Sequence, residues 1–177
     1  MTRALIVVDV QNDFITGSLP VPGAKEVIRP INNLIAGGDY KIIIFTQDWH
    51  PKNHISFTTW PSHCVQGTKG AAFAPHINHN KADIIIRKGT NREIDSYSVF
   101  ADDNGNSSGL GSLLLSRGVK SVDVVGLALD FCVKSTALDA AYRGLVTSVR
   151  VELTRAVNSG NVSSVVNQLT SNGVGII

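Results

Sequence analysis

The feature that most constrains the fold is a set of six short apolar runs, separated by segments long enough to form helices. The runs are ALIVVDV, KIIIFT, DIIIRK, SVDVVGL, VTSVRV and GVGII. Their apolarity is continuous rather than alternating, which is typical of strands that are covered on both faces. Strands joined by helix-length segments need right-handed crossovers and pair in parallel. The pattern therefore predicts a doubly wound α/β fold, with a six-stranded parallel sheet and helices on both faces.

Four helices are predicted between these strands, over residues 24–36, 109–117, 131–143 and 162–170. Glycines that follow three of these segments indicate where the helices end. Two regions depart from this alternation of strands and helices: residues 47–81, which are rich in histidine, proline and aromatic residues, and residues 89–108. Long irregular loops in a compact domain are commonly functional. The sequence contains no linker-like or low-complexity tract, so we expect one domain over residues 1–177.

The composition favours a small-molecule partner over a nucleic acid or a membrane. The chain has 177 residues, 43% of them hydrophobic and 17% charged, and a formal net charge of +2. Its 16 Lys and Arg residues are scattered and form no basic stripe of the kind that binds nucleic acid. No apolar run is long enough to span a bilayer, and the N-terminal run is too short for a signal peptide. We therefore expect a cytoplasmic protein in which Cys64 and Cys132 are free thiols.

Polar residues end several of the predicted strands, and such residues line the ligand site of a doubly wound sheet. Asp9 follows LIVV, Asp48 follows IIIFTQ, Lys88 follows IIIR, and Cys132 lies just past VVGLALD. Cys132 is predicted in the first turn of a helix, where unpaired N–H groups and the macrodipole favour a thiolate. A buried small hydrophobe is the alternative, and this segment alone does not decide between the two.

The residue types at the other strand ends favour a nucleophile. A desolvated Asp9 can accept the thiol proton of Cys132 and later return it to a leaving amine. The Lys88 ammonium would stabilise the negative charge of the carboxylate and of the thiolate. Taken singly, an Asp that caps a loop and a solvated Lys would be the simpler interpretations. Their convergence at one edge of the sheet instead predicts an acyl-transfer triad of Asp9, Lys88 and Cys132.

A second cluster lies in DWHPKNHISFTTWPSHC, which contains Asp48, His50, His54 and His63. Asp48 and His50 are two residues apart, so in an extended segment their side chains lie on the same side. The two prolines of this segment could bring either later histidine back to the same ion. One carboxylate and two imidazoles form an open site that suits Zn²⁺, Fe²⁺ or Mn²⁺. Surface histidines in a polar loop are the alternative interpretation.

Aromatic residues close to both clusters could form the wall of a pocket. Phe14 lies five residues after Asp9, and Trp60 lies three residues before His63. Either side chain could stack on a flat ring, although core packing is the commoner fate of a Phe. Trp49 is expected to point away from a ligand shared by its two neighbours, because alternate residues of an extended segment face opposite sides.

Together these segments resemble the isochorismatase-like cysteine hydrolases, and within them the nicotinamidases. The resemblance rests on VDVQNDF, TQDWHPKNHISF, WPSHCVQGT, RKGT, DSYS and GLALDFCVKSTALDA, which cover essentially the whole chain in the family's order. The resemblance implies three groups of site residues: a catalytic triad of Asp9, Lys88 and Cys132; metal ligands Asp48, His50 and His63, with His54 as a candidate further ligand; and the pocket residues Phe14, Trp60 and Tyr97.

The resemblance also implies a reaction. Nicotinamide would be hydrolysed to nicotinate and ammonia through a cysteine thioester, as a step of NAD salvage, and pyrazinamide is a further candidate substrate. A cis peptide between Leu127 and Ala128 would let the Ala128 N–H join the Cys132 N–H in an oxyanion hole. The implied cofactor is one divalent metal ion, with Zn²⁺ preferred over Fe²⁺ or Mn²⁺, and the implied assembly is a homo-oligomer.

Other functions would require different sets of these residues. A superfamily amidohydrolase acting on a carbamoyl or ureido substrate would keep the triad but need no metal, whereas an isochorismatase proper would lack Cys132. A noncatalytic binding protein that retains the pocket and an oligomer-forming structural subunit are further alternatives, but neither would need intact chemistry at every triad and ligand position. The presence of both clusters in the sequence favours the nicotinamidase interpretation.

Overall fold

The computed structural model describes residues 2–177 and contains a six-stranded sheet in which all neighbours pair in parallel, as predicted. The strands are β1 (Arg3–Val8), β2 (Ile42–Asp48), β3 (Ile84–Lys88), β4 (Ser121–Leu127), β5 (Val146–Arg155) and β6 (Gly175–Ile176). Their order across the sheet is β3-β2-β1-β4-β5-β6. The order reverses between β1 and β4, so the carboxyl ends of these two strands flank the point where such sheets bind ligands.

Helices lie at all four predicted places, and one short helix was not predicted. The helices are α1 (Asn12–Ile15), α2 (Ile28–Gly37), α3 (Leu110–Ser116), α4 (Lys134–Tyr142) and α5 (Val162–Ser171). A 3₁₀ turn (Ala24–Val27) leads into α2, and a π-helical turn (Leu129–Val133) leads into α4. The helix α1 has only four residues, which is too short for a periodic sequence signal. Among residues 2–177, none of the helices combines the length and the hydropathy that a bilayer crossing requires.

The core lies on both faces of the sheet, as the continuous apolar runs predict. Along β1, Ala4, Ile6 and Val8 pack on the face covered by α3, α4 and α5. Leu5 and Val7 pack on the other face, against α2 and the loop over residues 71–77. All five side chains are fully buried, and burial of each of the four larger ones stabilises the fold by roughly 1.5–3 kcal/mol. The central strand is thus anchored on both sides, and it fixes the position of the residue that follows it, Asp9.

Gly126 allows β4 to approach β1 beside this anchored end. Its φ of 108° lies in a region that L side chains rarely adopt. A Cβ atom at this position would lie 2.2 Å from the carbonyl oxygen of Val8 and 2.7 Å from its nitrogen. Only glycine therefore fits here without displacing the backbone that leads into Asp9.

We expect Gly126→Ala to lower the free energy of unfolding by about 3 kcal/mol, because it adds both a strained φ and a backbone clash. Urea unfolding measures this loss. Gly37→Ala is the matched control, since its added Cβ meets nothing within 4 Å at the last position of α2. Equal losses in the two variants would contradict the close approach of β1 and β4.

Candidate active site

Four polar side chains that follow neighbouring strands converge at the carboxyl edge of the sheet. Asp9 follows β1, Asp48 and Lys88 end β2 and β3 and are paired in register, and Cys132 lies in the π-helical turn after β4. None of the four is more than 6% exposed. The structure therefore brings together the strand-end residues that the sequence singles out.

The Lys88 ammonium is the centre of this group. Its Nζ lies 2.9 Å from Oδ2 of Asp9, 2.5 Å from Oδ1 of Asp48 and 3.3 Å from Sγ of Cys132. It also donates a hydrogen bond to the carbonyl oxygen of Ser96 at 3.1 Å. Burial disfavours the ammonium, but the charges of Asp48 and Asp9 outweigh this effect and raise the pKa of Lys88 well above its ordinary value. Lys88 is therefore a fixed cation.

The two carboxylates that share Lys88 have pKa values shifted in opposite directions. Burial raises the pKa of Asp9 above its ordinary value, against the opposing charge of Lys88. Burial acts in the same sense on Asp48, but Lys88 and the neighbouring His50 outweigh it and lower the pKa of Asp48 well below its ordinary value. Two acids whose pKa values are shifted in opposite directions can carry out different chemical roles. Asp48 is suited to remain an anion, and Asp9 is suited to carry a proton.

One oxygen of the Asp9 carboxylate accepts a hydrogen bond, whereas the other accepts none of good geometry from the part of the chain that the structure describes. Thr46 Oγ1 donates to Oδ1 of Asp9 at 2.5 Å and accepts from the Asp9 N–H at 3.2 Å. Within residues 2–177, Oδ2 accepts no hydrogen bond of good geometry, although it faces the Lys88 ammonium. A carboxylate oxygen of Asp9 lies within 4.8 Å of Sγ of Cys132. Thr46 could not be singled out from the sequence, because threonine in an apolar strand is an ordinary β-former.

The surroundings of Cys132 disfavour a thiolate. Burial raises the pKa of its thiol well above the ordinary value, and the opposing charge of Lys88 does not compensate. Cys132 is only 6% exposed and lies near two carboxylates, and both features oppose the stabilisation that the start of a helix is predicted to give the thiolate. A thiol with a raised pKa needs a neighbouring base if it is to act as a nucleophile.

Asp48, His50 and His63 form a set of ligand atoms that fits a divalent ion. Oδ2 of Asp48 lies 3.6 Å from Nε2 of His50 and 4.0 Å from Nε2 of His63. His50 Nδ1 donates to the carbonyl oxygen of Gly89 at 2.9 Å, and His63 Nδ1 donates to that of Pro61 at 2.7 Å. These bonds leave each Nε2 lone pair directed toward Asp48, as is usual for histidine ligands. One carboxylate and two imidazoles suit Zn²⁺ and related ions.

His54 packs against this set and differs from it in its hydrogen bonds. Its ring stacks on His50, with centroids 4.1 Å apart. Nδ1 accepts from the Ser56 N–H at 3.2 Å, and Nε2 lies 3.2 Å from the carbonyl oxygen of Ile94. Asp95 joins His50 and His54 in a second group of candidate ligands within 4.8 Å. Both nitrogens of His54 are already hydrogen-bonded, so its geometry favours a role in positioning His50.

Two further residues position the candidate ligands and were missed by the sequence analysis. Gln11 accepts from the Asp48 N–H at 2.9 Å and donates to the Asp48 carbonyl oxygen at 2.8 Å, which fixes the backbone of that residue. Gly89 contacts His50 so closely that a Cβ atom would lie 2.4 Å from the ring. The sequence carries one signal for Gln11, which is its place among the polar residues after β1 in VDVQNDF; its complete burial is visible only in the structure.

A pocket with aromatic walls opens beside Cys132. Its apolar wall consists of Phe14, Leu19, Val21, Trp60, Tyr97, Phe131 and Val157. Trp60 Nε1 donates to the Tyr97 hydroxyl at 3.2 Å, and the Phe131 ring packs edge-on against the Trp60 ring at 5.0 Å. Three of these aromatic residues are at predicted positions, whereas Phe131 was not predicted. Trp49 points away from the pocket, as expected, and lies under the Arg87 guanidinium at 3.8 Å.

The segment before Cys132 also borders the pocket. The peptide between Leu127 and Ala128 is cis, as the resemblance implies, and Ala128 lines the pocket together with Cys132. Cys64 and Cys132 are both free thiols, as predicted.

A thiol becomes a nucleophile when a neighbouring base removes its proton, and a carboxylate oxygen of Asp9 lies within 4.8 Å of the Cys132 sulfur. The fold and this site define a doubly wound α/β protein in which a thiol, a carboxylate and an ammonium group meet at the carboxyl edge of the sheet. The isochorismatase domain family matches residues 3–177, and the chain belongs to that family.

Three relatives or related structures align with this chain over 90% or more of their own length. The nicotinamidase of Acinetobacter baylyi is 42% identical over 194 residues, which covers 97% of this chain and 90% of the relative. PnC1 from L. infantum in complex with nicotinate has a TM-score of 0.97 and 41% identity, over 99% of this chain and 92% of that one. The pyrazinamidase of Pyrococcus horikoshii in complex with zinc has a TM-score of 0.90 and 36% identity, over 100% and 99% of the two chains.

We expect Thr46→Val to lower the free energy of unfolding by about 1–3 kcal/mol, because it removes a hydrogen bond to a buried carboxylate. Thr147→Val is the control, since the Thr147 hydroxyl is also buried but donates only to the carbonyl oxygen of Leu145. Urea unfolding of both variants measures the difference. A smaller loss for Thr46→Val than for the control would show that Thr46 does not hold Asp9.

Proposed function

We propose that the protein is a nicotinamidase that hydrolyses nicotinamide to nicotinate and ammonia. The observation that carries this proposal is that Cys132, Asp48 and His63 line one aromatic-walled pocket. A pyridine carboxamide matches such a pocket, because its rigid ring separates a scissile amide from a nitrogen that can bind a metal. The relative named nicotinamidase and the related structure with bound nicotinate support the same substrate.

The ring would lie between Phe14 and Trp60. Both side chains line the pocket, and Trp60 is held by its hydrogen bond to Tyr97. A divalent ion, with Zn²⁺ the first choice and Fe²⁺ or Mn²⁺ the alternatives, would be held by Asp48, His50 and His63 and would supply a Lewis-acidic site for the ring nitrogen. The zinc complex of the related pyrazinamidase supports this choice of cofactor. His54 would position His50 instead of binding the ion.

The reaction begins with proton transfer from Cys132 to Oδ2 of Asp9, and the resulting thiolate attacks the carboxamide carbon. The backbone N–H groups of Ala128 and Cys132 would hold the oxyanion of the tetrahedral intermediate. When the C–N bond breaks, Asp9 returns its proton to the departing amine and ammonia leaves. Throughout, Lys88 keeps its charge and stabilises the anionic form of each neighbour.

The thioester that remains is hydrolysed by water. Asp9, again an anion, takes a proton from the water as it attacks the acyl carbon, and the sulfur of Cys132 leaves and regains that proton. Nicotinate and the free thiol result, consistent with a step of NAD salvage. Pyrazinamide carries the same amide on a ring of similar size, and we propose it as a second substrate.

An amidohydrolase acting on a carbamoyl or ureido substrate is the second candidate, because it would use the same triad. The candidate ligand set disfavours it, since such a substrate has no ring nitrogen for a metal ion to hold. A cytoplasmic location and a homo-oligomeric state remain predictions.

Replacement of the proposed nucleophile should separate binding from chemistry. We expect Cys132→Ala to reduce ammonia release from nicotinamide by more than about 10⁴-fold while nicotinate still binds in calorimetry, because the pocket wall is unchanged. Cys64→Ala is the control and should keep the wild-type kcat, since the Cys64 thiol does not line the pocket. Ammonia release by Cys132→Ala within tenfold of wild type would place the nucleophile elsewhere.

Metal content should distinguish the proposed ligands from their neighbour. We expect Asp48→Asn, His50→Ala and His63→Ala to lose the bound ion in elemental analysis, because each removes one of three ligands. His54→Ala should retain it, since both ring nitrogens of His54 are hydrogen-bonded elsewhere. Full occupancy in His63→Ala, or its loss only in His54→Ala, would refute this ligand assignment.

A further inference from the structure

A second concavity lies on the opposite side of α1 from the substrate pocket. Phe14 lines the substrate pocket, whereas the next two residues, Ile15 and Thr16, line the second concavity. Its other walls come from the 3₁₀ turn and first turn of α2 and from the loop over residues 69–76. We call it the α1 groove and define it by Ile15, Lys25, Ile28, Arg29, Lys69 and His76.

Four basic side chains line this groove: Lys25, Arg29, Lys69 and His76. All four residues are exposed. Within residues 2–177, none of the four pairs with a carboxylate; the ion pairs of the other basic residues involve Asp9, Asp48, Asp123, Asp139, Glu26 and Glu93. Uncompensated charges of one sign in a concave surface concentrate the electrostatic potential there. Lys25, Arg29 and Lys69 therefore bring three positive charges to the groove, against the single carboxylate of Asp13.

The acidic residues nearest the groove are already engaged. Asp13 lines it, but Oδ2 of Asp13 accepts from the Cys64 N–H at 2.7 Å and Oδ1 accepts from the Ser18 N–H at 3.2 Å. Glu26, between the two basic residues of the helical segment, pairs with Arg155 at 2.8 Å. Neither carboxylate forms an ion pair with a basic side chain of the groove.

The wall that carries two of the basic residues is held in place. Asn32 of α2 donates to the His76 carbonyl oxygen at 2.6 Å and accepts from the Asn78 N–H at 2.8 Å. His76 has a left-handed φ of 71°, which is uncommon for a residue other than glycine. Asn12 of α1 donates to the Lys69 carbonyl oxygen at 2.8 Å. The backbone of the loop is thus tied to both helices, so a ligand would need to order only the side chains of the groove.

We propose that the α1 groove binds a small molecule of the nucleoside diphosphate class. Arg and Lys side chains make charge-assisted hydrogen bonds to phosphate oxygens, and several such groups suit a ligand with more than one phosphate. Ile15, Ile28 and Pro75 supply an apolar surface in the same groove for a flat base. Because the basic residues are exposed, binding weakens as salt is added.

Calorimetry with ADP, tripolyphosphate and adenosine tests this proposal on the full chain, independently of nicotinamide turnover. We expect ADP to bind the wild type and to bind the double variant Lys25→Gln, Arg29→Gln about tenfold more weakly. The control double variant Arg117→Gln, Lys120→Gln loses the same charge from residues that do not line the groove, and should bind ADP as the wild type does. Tripolyphosphate should show the same dependence on Lys25 and Arg29, and adenosine should bind more weakly than ADP.

Three results would overturn the proposal. The first is failure of ADP to bind the wild type. The second is equal binding of ADP by wild type and by the Lys25→Gln, Arg29→Gln variant, which would place the ligand elsewhere, for example on a bound metal ion. The third is that ADP binding is weakened equally in both double variants, which would show that it depends on the overall charge of the protein and not on the groove.

Discussion

The position of the Lys88 ammonium is the constraint on which the rest of the site depends. Lys88 ends an edge strand, pairs in register with Asp48 of β2, and reaches Asp9 beyond β1. A buried cation is stable only with anions beside it, and removing one partner of such a group leaves an uncompensated charge that costs roughly 3–5 kcal/mol. The strand order β3-β2-β1 therefore brings the ammonium and the two carboxylates together, and their mutual attraction in turn stabilises that order. One ammonium also links the proposed proton carrier to the proposed metal ligand.

The strand-end residues were predictable because a parallel sheet brings its carboxyl ends to one edge. Asp9, Asp48, Lys88 and Cys132 all follow apolar runs, and no side-chain detail is needed to place them together. The edge strand β3 shows where this pattern is incomplete. Its apolar run predicts cover on both faces, yet Ile85 is 47% exposed. The helices that cover the centre of a sheet do not extend over its edge, and the sequence does not mark which strand lies there.

The interactions that tune the site could not be predicted in the same way. The protonation of Cys132 depends on burial and on two carboxylates from other strands, neither of which is visible in GLALDFCVK. The role of Thr46 depends on its register beside Asp9. Sequence spacing makes His54 a candidate ligand, but the local conformation directs its nitrogens to Ser56 and Ile94. Residue propensity and hydrophobic periodicity indicate which helices and strands form. These contacts instead depend on how the helices, strands and loops pack against one another.

Polar contacts between loops couple the shape of the pocket to its reactive atoms. Asp130 precedes Cys132 by two residues, and its buried carboxylate accepts from the Val157 N–H at 2.9 Å, which fixes a wall residue. On the opposite side, Asp13 accepts from the Cys64 N–H. Asp13 adjoins Phe14, and Cys64 adjoins His63, so that bond joins the pocket wall to a candidate metal ligand.

The first of these bonds joins a wall residue to a residue two positions before Cys132, and the second joins the neighbour of Phe14 to the neighbour of His63. A displacement of the wall would be transmitted to the sulfur or to the candidate ligand set, because these connections are short. A flat substrate between the aromatic side chains would consequently be aligned with the proposed nucleophile by the same contacts that select it. Substrate selection and catalytic alignment thus have one structural origin, in polar bonds between loops that only the folded sheet brings together.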